Sequence, residues 1–185
     1  MARGDLRLFV AMPVPDDAAH QCEARLAGLS RSHPGARWVP APFLHLTLVF
    51  LGAVTPGRVA GLEADIAAAA AETAAFDVSL VAGNGRVGRR GDGVAWLSAG
   101  EGGSHATQLA NALHARIRGD DPGAPAGDRP HVTVARHASP DLIRDLRGFA
   151  PDPPITWRAD RIVLFRSHLG PPGARYERVL DRALR

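Results

Sequence analysis

Lysine is absent from this 185-residue chain; all 22 basic residues are arginine. A GC-rich coding bias accounts for the preference, and the abundance of Ala, Gly and Pro fits it. The chemical consequence holds either way, because a guanidinium grips phosphate through paired hydrogen bonds where an ammonium acts as a point charge. Cysteine is almost absent as well. The single thiol, Cys22, excludes an intramolecular disulfide, and its place on an expected helix marks it as a packing residue rather than a nucleophile. Long apolar runs are missing: the Ala-rich stretch Ile66 to Ala71 is too short to cross a bilayer and is closed by Glu72. Arg3, Asp5 and Arg7 leave no apolar stretch of signal-peptide length near the N-terminus. The expectation is a cytoplasmic, monomeric protein with no membrane segment. Its 45% apolar content and net charge of +3 describe an ordinary globular chain, compatible with nucleic acid without requiring it.

Periodicity and turn residues divide the chain into two similar halves. Strands are expected at Arg7 to Met12, Ala36 to Val39 and Leu44 to Leu51. A helix capped by Asp16 or Asp17 runs to Ser32, and a second is expected from Thr55-Pro56 to Thr73, with Thr55 as its cap. Strands Phe76 to Ala82 and Val94 to Ser98 flank a Gly/Arg-rich segment, Gly83 to Gly93. That segment lacks the lysine of a phosphate-binding loop and reads as a hairpin loop with solvated arginines (Arg86, Arg89, Arg90). The second half repeats the grammar: a helix Ser104 to Arg118, a Pro/Gly-rich loop Gly119 to Pro130, and a strand His131 to Arg136. A short helix then starts at Ser139-Pro140, and three strands follow, Ile155 to Arg158, Arg161 to Ser167 and Tyr176 to Leu180. The interleaving lacks a regular βαβ pattern. It predicts an α+β fold, with residues 1–185 forming one bilobal, pseudo-symmetric domain: two mainly antiparallel sheets, helices outside, and a central cleft.

The informative repeat is His45-Leu46-Thr47-Leu48 and His131-Val132-Thr133-Val134. In a strand, residues i and i+2 share a face, so His45 points with Thr47 and His131 with Thr133. The apolar residues between them point into a core. Polar pairs in such apolar strands must face a cavity or a partner, because burying them unpaired is costly. One pair reads as a structural histidine; two of identical spacing in equivalent places read as a site. A neutral imidazole can take a proton from water while a protonated one gives a proton to a leaving oxygen. The threonine hydroxyls can donate to the non-bridging oxygens of a phosphate. Such a set suits hydrolysis of a phosphodiester, above all a strained cyclic one, without a metal. A zinc site competes with this reading, but there is no H-E-x-x-H, no cysteine pair and no acidic residue flanking either histidine strand. No G-x-S-x-G is present.

The two segments His45-Leu46-Thr47-Leu48-Val49-Phe50-Leu51-Gly52 and His131-Val132-Thr133-Val134-Ala135-Arg136 resemble the paired motifs of the two-histidine (2H) phosphoesterases. Within that superfamily the chain is most similar to the RNA 2′,3′-cyclic phosphodiesterases, also called 2′-5′ RNA ligases. The likeness extends to Arg7-Leu8-Phe9-Val10-Ala11, Arg37-Trp38-Val39-Pro40, Ala95-Trp96-Leu97 and Leu164 to Gly170 with Tyr176. It implies hydrolysis of a 2′,3′-cyclic phosphate at an RNA end or on a nucleoside to a 2′-phosphomonoester, with no cofactor. It also implies roles: His45 as proton donor, His131 as proton acceptor, Thr47, Thr133 and Arg136 on the phosphate, and Phe50 stacking on a base. A 5′-hydroxyl in the place of water would give 2′-5′ ligation. The alternatives are a small cyclic substrate such as ADP-ribose 1″,2″-cyclic phosphate, or a non-catalytic RNA-end-binding module. Phe50 and Arg136 each lie five residues after their histidine, so strict alternation sends both away from the cleft. They reach it only if each strand twists, ends or bulges after its fourth motif residue. No role is assigned to His137 or His168, and Trp38 and Trp96 are expected in the core.

Overall fold

The computed structural model describes residues 4–88, 93–118, 129–168, 170 and 175–185. Arg89, Arg90 and most of the expected 119–130 loop lie outside them. Along the chain, the elements are β1 (Leu6–Pro13), α1 (Asp16–Ser32), β2 (Arg37–Trp38), β3 (His45–Val54), α2 (Val59–Glu72), β4 (Phe76–Arg86) and β5 (Val94–Ala99). They continue with α3 (Gly103–Arg118), β6 (His131–Arg136), α4 (Pro140–Arg147), β7 (Ile155–Ala159), β8 (Arg161–His168) and β9 (Arg175–Ala183). Short 3-10 turns at Ala41–Phe43 and Pro56–Arg58 precede β3 and α2.

The strands run in the order β7-β4-β5-β6-β3-β1-β8-β9, with β2 added beside β6, and every pairing is antiparallel. The α+β class is as expected, but the halves are drawn differently: β4 and β5, expected in the first half with β3, lie beside β6, while β8 and β9 lie beside β1. The two expected sheets are not separate, however. The half β7-β4-β5-β6 meets the half β3-β1-β8-β9 edge to edge through one residue pair, Leu46 opposite Val132, making a single curled sheet.

One face of the sheet carries the main core. Leu8, Val10, Met12, Leu46, Leu48, Leu80, Leu97, Val132 and Val134 pack there with Cys22 and Leu26 of α1, Leu62 and Ile66 of α2, Leu109 and Leu113 of α3, and Leu142 and Leu146 of α4. The other face carries a smaller cluster of Phe9, Ala11, Val163 and Phe165, with Tyr176 against it. β1 is therefore apolar on both faces, as a central strand must be. Cys22 is buried among apolar side chains, and that burial pushes its thiol up to about 11. This is the state of a packing residue.

Two local expectations change. Thr55 makes no capping bond; Pro56–Arg58 forms a 3-10 turn and α2 begins only at Val59. α1 follows Pro15 with Asp16 and Asp17 in its first turn, where their charge suits the helix dipole without a side-chain cap. Ser139, by contrast, caps α4, its Oγ accepting from the Leu142 amide at 3.1 Å. The glycine-rich segment also departs from a loop, since β4 continues through Arg86. Its glycines let α4 approach. A Cβ on Gly83 would collide with the Leu146 carbonyl oxygen, and one on Gly85 would lie 2.8 Å from Ile143.

Gly83→Ala should therefore lower stability by about 1–3 kcal/mol, since the obstacle is backbone and cannot rotate away. Gly61→Ala, in α2 with open space around it, should raise stability by about 0.5–1 kcal/mol. Urea midpoints of the two variants measure both; equal midpoints would contradict the close approach of α4.

Candidate active site

The strand carrying His45 and the strand carrying His131 are neighbours, Leu46 lying opposite Val132. Continued by one residue each way, that register sets His45 beside Thr133 and Thr47 beside His131. Both His-Thr pairs are half-buried on the same face, while Leu46, Leu48, Val132 and Val134 are buried behind them. Neighbouring strands lie about 4.8 Å apart, so four polar side chains converge on one small area.

The two histidines are held alike. His45 Nδ1 donates to the Phe43 carbonyl and His131 Nδ1 to the Arg129 carbonyl, each at 2.8 Å and each two residues back in the chain. A carbonyl only accepts, so each Nδ1 carries the proton and each Nε2 is left for chemistry. Burial pushes the His45 imidazole down from 6.5 to about 4; its bond to the Phe43 carbonyl opposes this, while the charges of Arg136 and His131 reinforce it. His45 is thus neutral at neutral pH. Its ring lies against an aromatic wall, with centroids 5.0 Å from Phe9, 5.3 Å from Tyr176 (edge-on) and 6.2 Å from Phe165. Trp96 is half-buried rather than core and stands 5.3 Å from the His131 ring.

The question of Phe50 and Arg136 is answered by two bulges. On β3, Thr47 pairs with Ala11 but Val49 with Val10, so Leu48 is an extra residue. On β6, Thr133 pairs with Trp96 but Ala135 with Ala95, so Val134 is extra. Two consecutive residues are buried in each strand, and the next side chain returns to the cleft face. The first six residues of β3 and all six of β6 share one burial pattern: half-buried, buried, half-buried, buried, buried, exposed. Phe50, 64% exposed, and Arg136 consequently both line a cleft of about 1030 Å³ together with His45. Arg118, at the end of α3, holds the Phe50 carbonyl at 2.8 Å. After Arg136 the chain turns away at His137, whose φ of 52° is unusual for a residue with a side chain.

Sequence reasoning missed Arg37. It is the cross-strand partner of Arg136, both are exposed, and both line the cleft. Neither meets a carboxylate among the described residues. Like charges directly opposite repel, and an anion between them relieves this. Phe9, Phe43 and Tyr176 also line the cleft; Phe9 could not be separated from the core by pattern, because β1 is apolar on both faces. Trp38 is half-buried on the cleft wall, its Nε1 donating to the His33 carbonyl at 3.3 Å. Thr47, His131 and Thr133 share the sheet face of His45 but, like His137 and His168, are not among the residues that line the cleft; the His168 ring pairs with Glu177 at 2.7 Å. Among the described residues, no group of three His, Cys, Asp or Glu side chains is arranged to hold a metal.

The sequence profile of the 2′-5′ RNA ligase superfamily matches residues 13–171. The chain belongs to this superfamily of two-histidine phosphoesterases. An RNA 2′,3′-cyclic phosphodiesterase of Thermotoga maritima is 27% identical over 178 residues, covering 93% of this chain and 92% of that protein. One of Geobacillus stearothermophilus is 42% identical over 83 residues, which is 44% of this chain but only 26% of its own length. Among solved structures, E. coli LigT complexed with 3′-AMP superposes with a TM-score of 0.76 at 25% identity, covering 98% of each chain. A Thermus thermophilus protein gives 0.76 at 28% identity, covering 97% of this chain and 98% of its own. The superfamily fold thus extends over nearly the whole chain. No helix among the described residues is long and apolar enough to cross a membrane.

Proton NMR of the ligand-free protein should give the His45 ring a titration midpoint near pH 4, moving upward when inorganic phosphate is added, because a bound anion favours the charged ring. The unfolded chain protonates this group at about 6.5, so its contribution to stability is complete above that pH and is lost as pH falls to about 4. An ordinary midpoint in the free protein would contradict the burial of the ring.

Proposed function

We propose that this cleft hydrolyses the 2′,3′-cyclic phosphate at RNA ends to a 2′-phosphomonoester, by proton transfer between two histidines and without a metal. The observation that carries the reading is the matched anchoring of His45 and His131 through Nδ1, which leaves an Nε2 atom on each of two adjacent strands, with the Arg136 charge acting on His45. The names of the Thermotoga and Geobacillus relatives support the substrate.

In the reaction, His131 Nε2 takes a proton from water as the oxygen attacks phosphorus. The bond from phosphorus to O3′ breaks, and His45 Nε2 gives its proton to O3′. Thr47 and Thr133, whose hydroxyls have no partner among the described residues, donate to the non-bridging oxygens. Arg136, with Arg37 beside it, stabilises the negative charge on the non-bridging oxygens. Phe50 offers an exposed ring for the terminal base. A 5′-hydroxyl entering in the place of water would join two RNA ends by a 2′-5′ linkage. The donor role of His45 requires the bound phosphate to raise its affinity for a proton. The lowered pKa of His45 favours the exchanged assignment, since a base must be neutral before it takes a proton.

The wild-type protein should open a cyclic-phosphate-ended oligonucleotide in EDTA, and His45→Ala and His131→Ala should each lower kcat/KM by at least about 100-fold while remaining folded. Activity only with added metal, or near-normal rates in either variant, would overturn the mechanism. A substrate with a nitrophenolate leaving group needs no acid, so it should rescue His45→Ala and not His131→Ala; the opposite rescue would exchange the two roles.

A further inference from the structure

The cleft is longer than the chemistry needs. β3 runs from His45 past Phe50 to Val54, and β1 lies antiparallel to it, with Pro13 against His45, Phe9 against Phe50 and Arg7 against Ala53. Arg7 therefore stands beyond Phe50, on the same strand face as Phe9. Arg175 opens β9 next to Tyr176, across from His168. Both arginines are exposed and both line the cleft. Neither meets a carboxylate among the described residues, although the same sheet edge is rich in acceptors. Arg161, Arg166 and Arg178, on β8 and β9, are each paired with Asp160, Glu177 or Asp181. Arg7 and Arg175 thus line the end of the cleft away from Arg136 and Arg37, with Phe9, Phe50 and Tyr176 between the two pairs. The cleft, at about 1030 Å³, is at the upper limit of ordinary small-ligand sites, so a terminal nucleotide does not fill it.

We propose that Arg7 and Arg175 form a second phosphate subsite, which holds backbone phosphates of an RNA chain upstream of its cyclic end. The proposal rests on the function proposed above and narrows its substrate: the site is built for an oligonucleotide. A nucleoside cyclic phosphate carries a single phosphate, held at His45, and gains nothing from the subsite. An RNA chain lays one base on the aromatic surface and passes its next phosphates to the far arginines. Alternating cationic and aromatic contacts of this kind follow a single strand without reading its sequence.

The test compares the wild type with an Arg7→Gln/Arg175→Gln double variant on two substrates: a short oligoribonucleotide ending in 2′,3′-cyclic phosphate and the matching nucleoside 2′,3′-cyclic phosphate. The wild type should favour the oligonucleotide in kcat/KM. The variant should lose about tenfold or more of that preference, mainly through KM. The dependence of log KM on log salt for the oligonucleotide should also become shallower, by about 0.7 for each arginine that meets a phosphate. Equal losses on both substrates would make the arginines part of the scissile-phosphate site or of the fold, and would overturn the subsite. An unchanged preference would overturn it as well. Either result leaves the cyclic phosphodiesterase reading intact, whereas a wild type that opens neither substrate overturns both.

Discussion

The seam between β3 and β6 is short, yet the meeting of the two His-Thr pairs depends on it. Only Leu46 and Val132 pair across it, and that pairing puts His45, Thr47, His131 and Thr133 on one face. The register is enforced from behind. Leu46, Leu48, Val132 and Val134 are all buried, and burying each such side chain contributes about 1.5–3 kcal/mol. A slip of either strand by one residue would expose its two apolar residues and turn its histidine into the core. The hydrophobic side of the seam thus fixes the polar side, and the same few residues hold the two halves of the sheet together.

The bulges extend this control to the rim. An extra buried residue at Leu48, and another at Val134, change the phase of each strand once, just beyond the His-Thr pair. Without them Phe50 and Arg136 would point at the helices. With them the cleft gains an aromatic ring on one strand and a guanidinium on the other, at equivalent positions. The repeat is therefore structural as well as chemical: both strands solve the same geometric problem in the same way, and diverge only in the side chain they deliver.

Much of this was legible in the sequence, because it depends on local periodicity. The strand His131 to Arg136 and the Ser139 cap need only alternation and a polar residue before proline, and the structure has both. The unread features are tertiary. The sequence requires each strand to twist, end or bulge after its fourth motif residue, but only the partner strand shows that the answer is a bulge. Arg37 acquires meaning only when β2 pairs with β6 and brings it opposite Arg136. The glycines Gly83 and Gly85 resemble loop residues until α4 is seen lying on them. The joining of two sheets into one is likewise invisible to either half alone.

The mirrored anchoring of the imidazoles also governs what happens after the ring has opened. In the proposed reaction one histidine finishes with the proton the other began with. No proton is gained or lost overall, but the site ends as the reflection of its starting state. That reflected state is set up to close the ring again, and a further forward cycle needs the proton carried back. With each Nδ1 committed to a carbonyl, the return must run from Nε2 to Nε2, through product, water or buffer in the open cleft. The enzyme's symmetry thus turns each turnover into a half-cycle, and solvent access completes the other half.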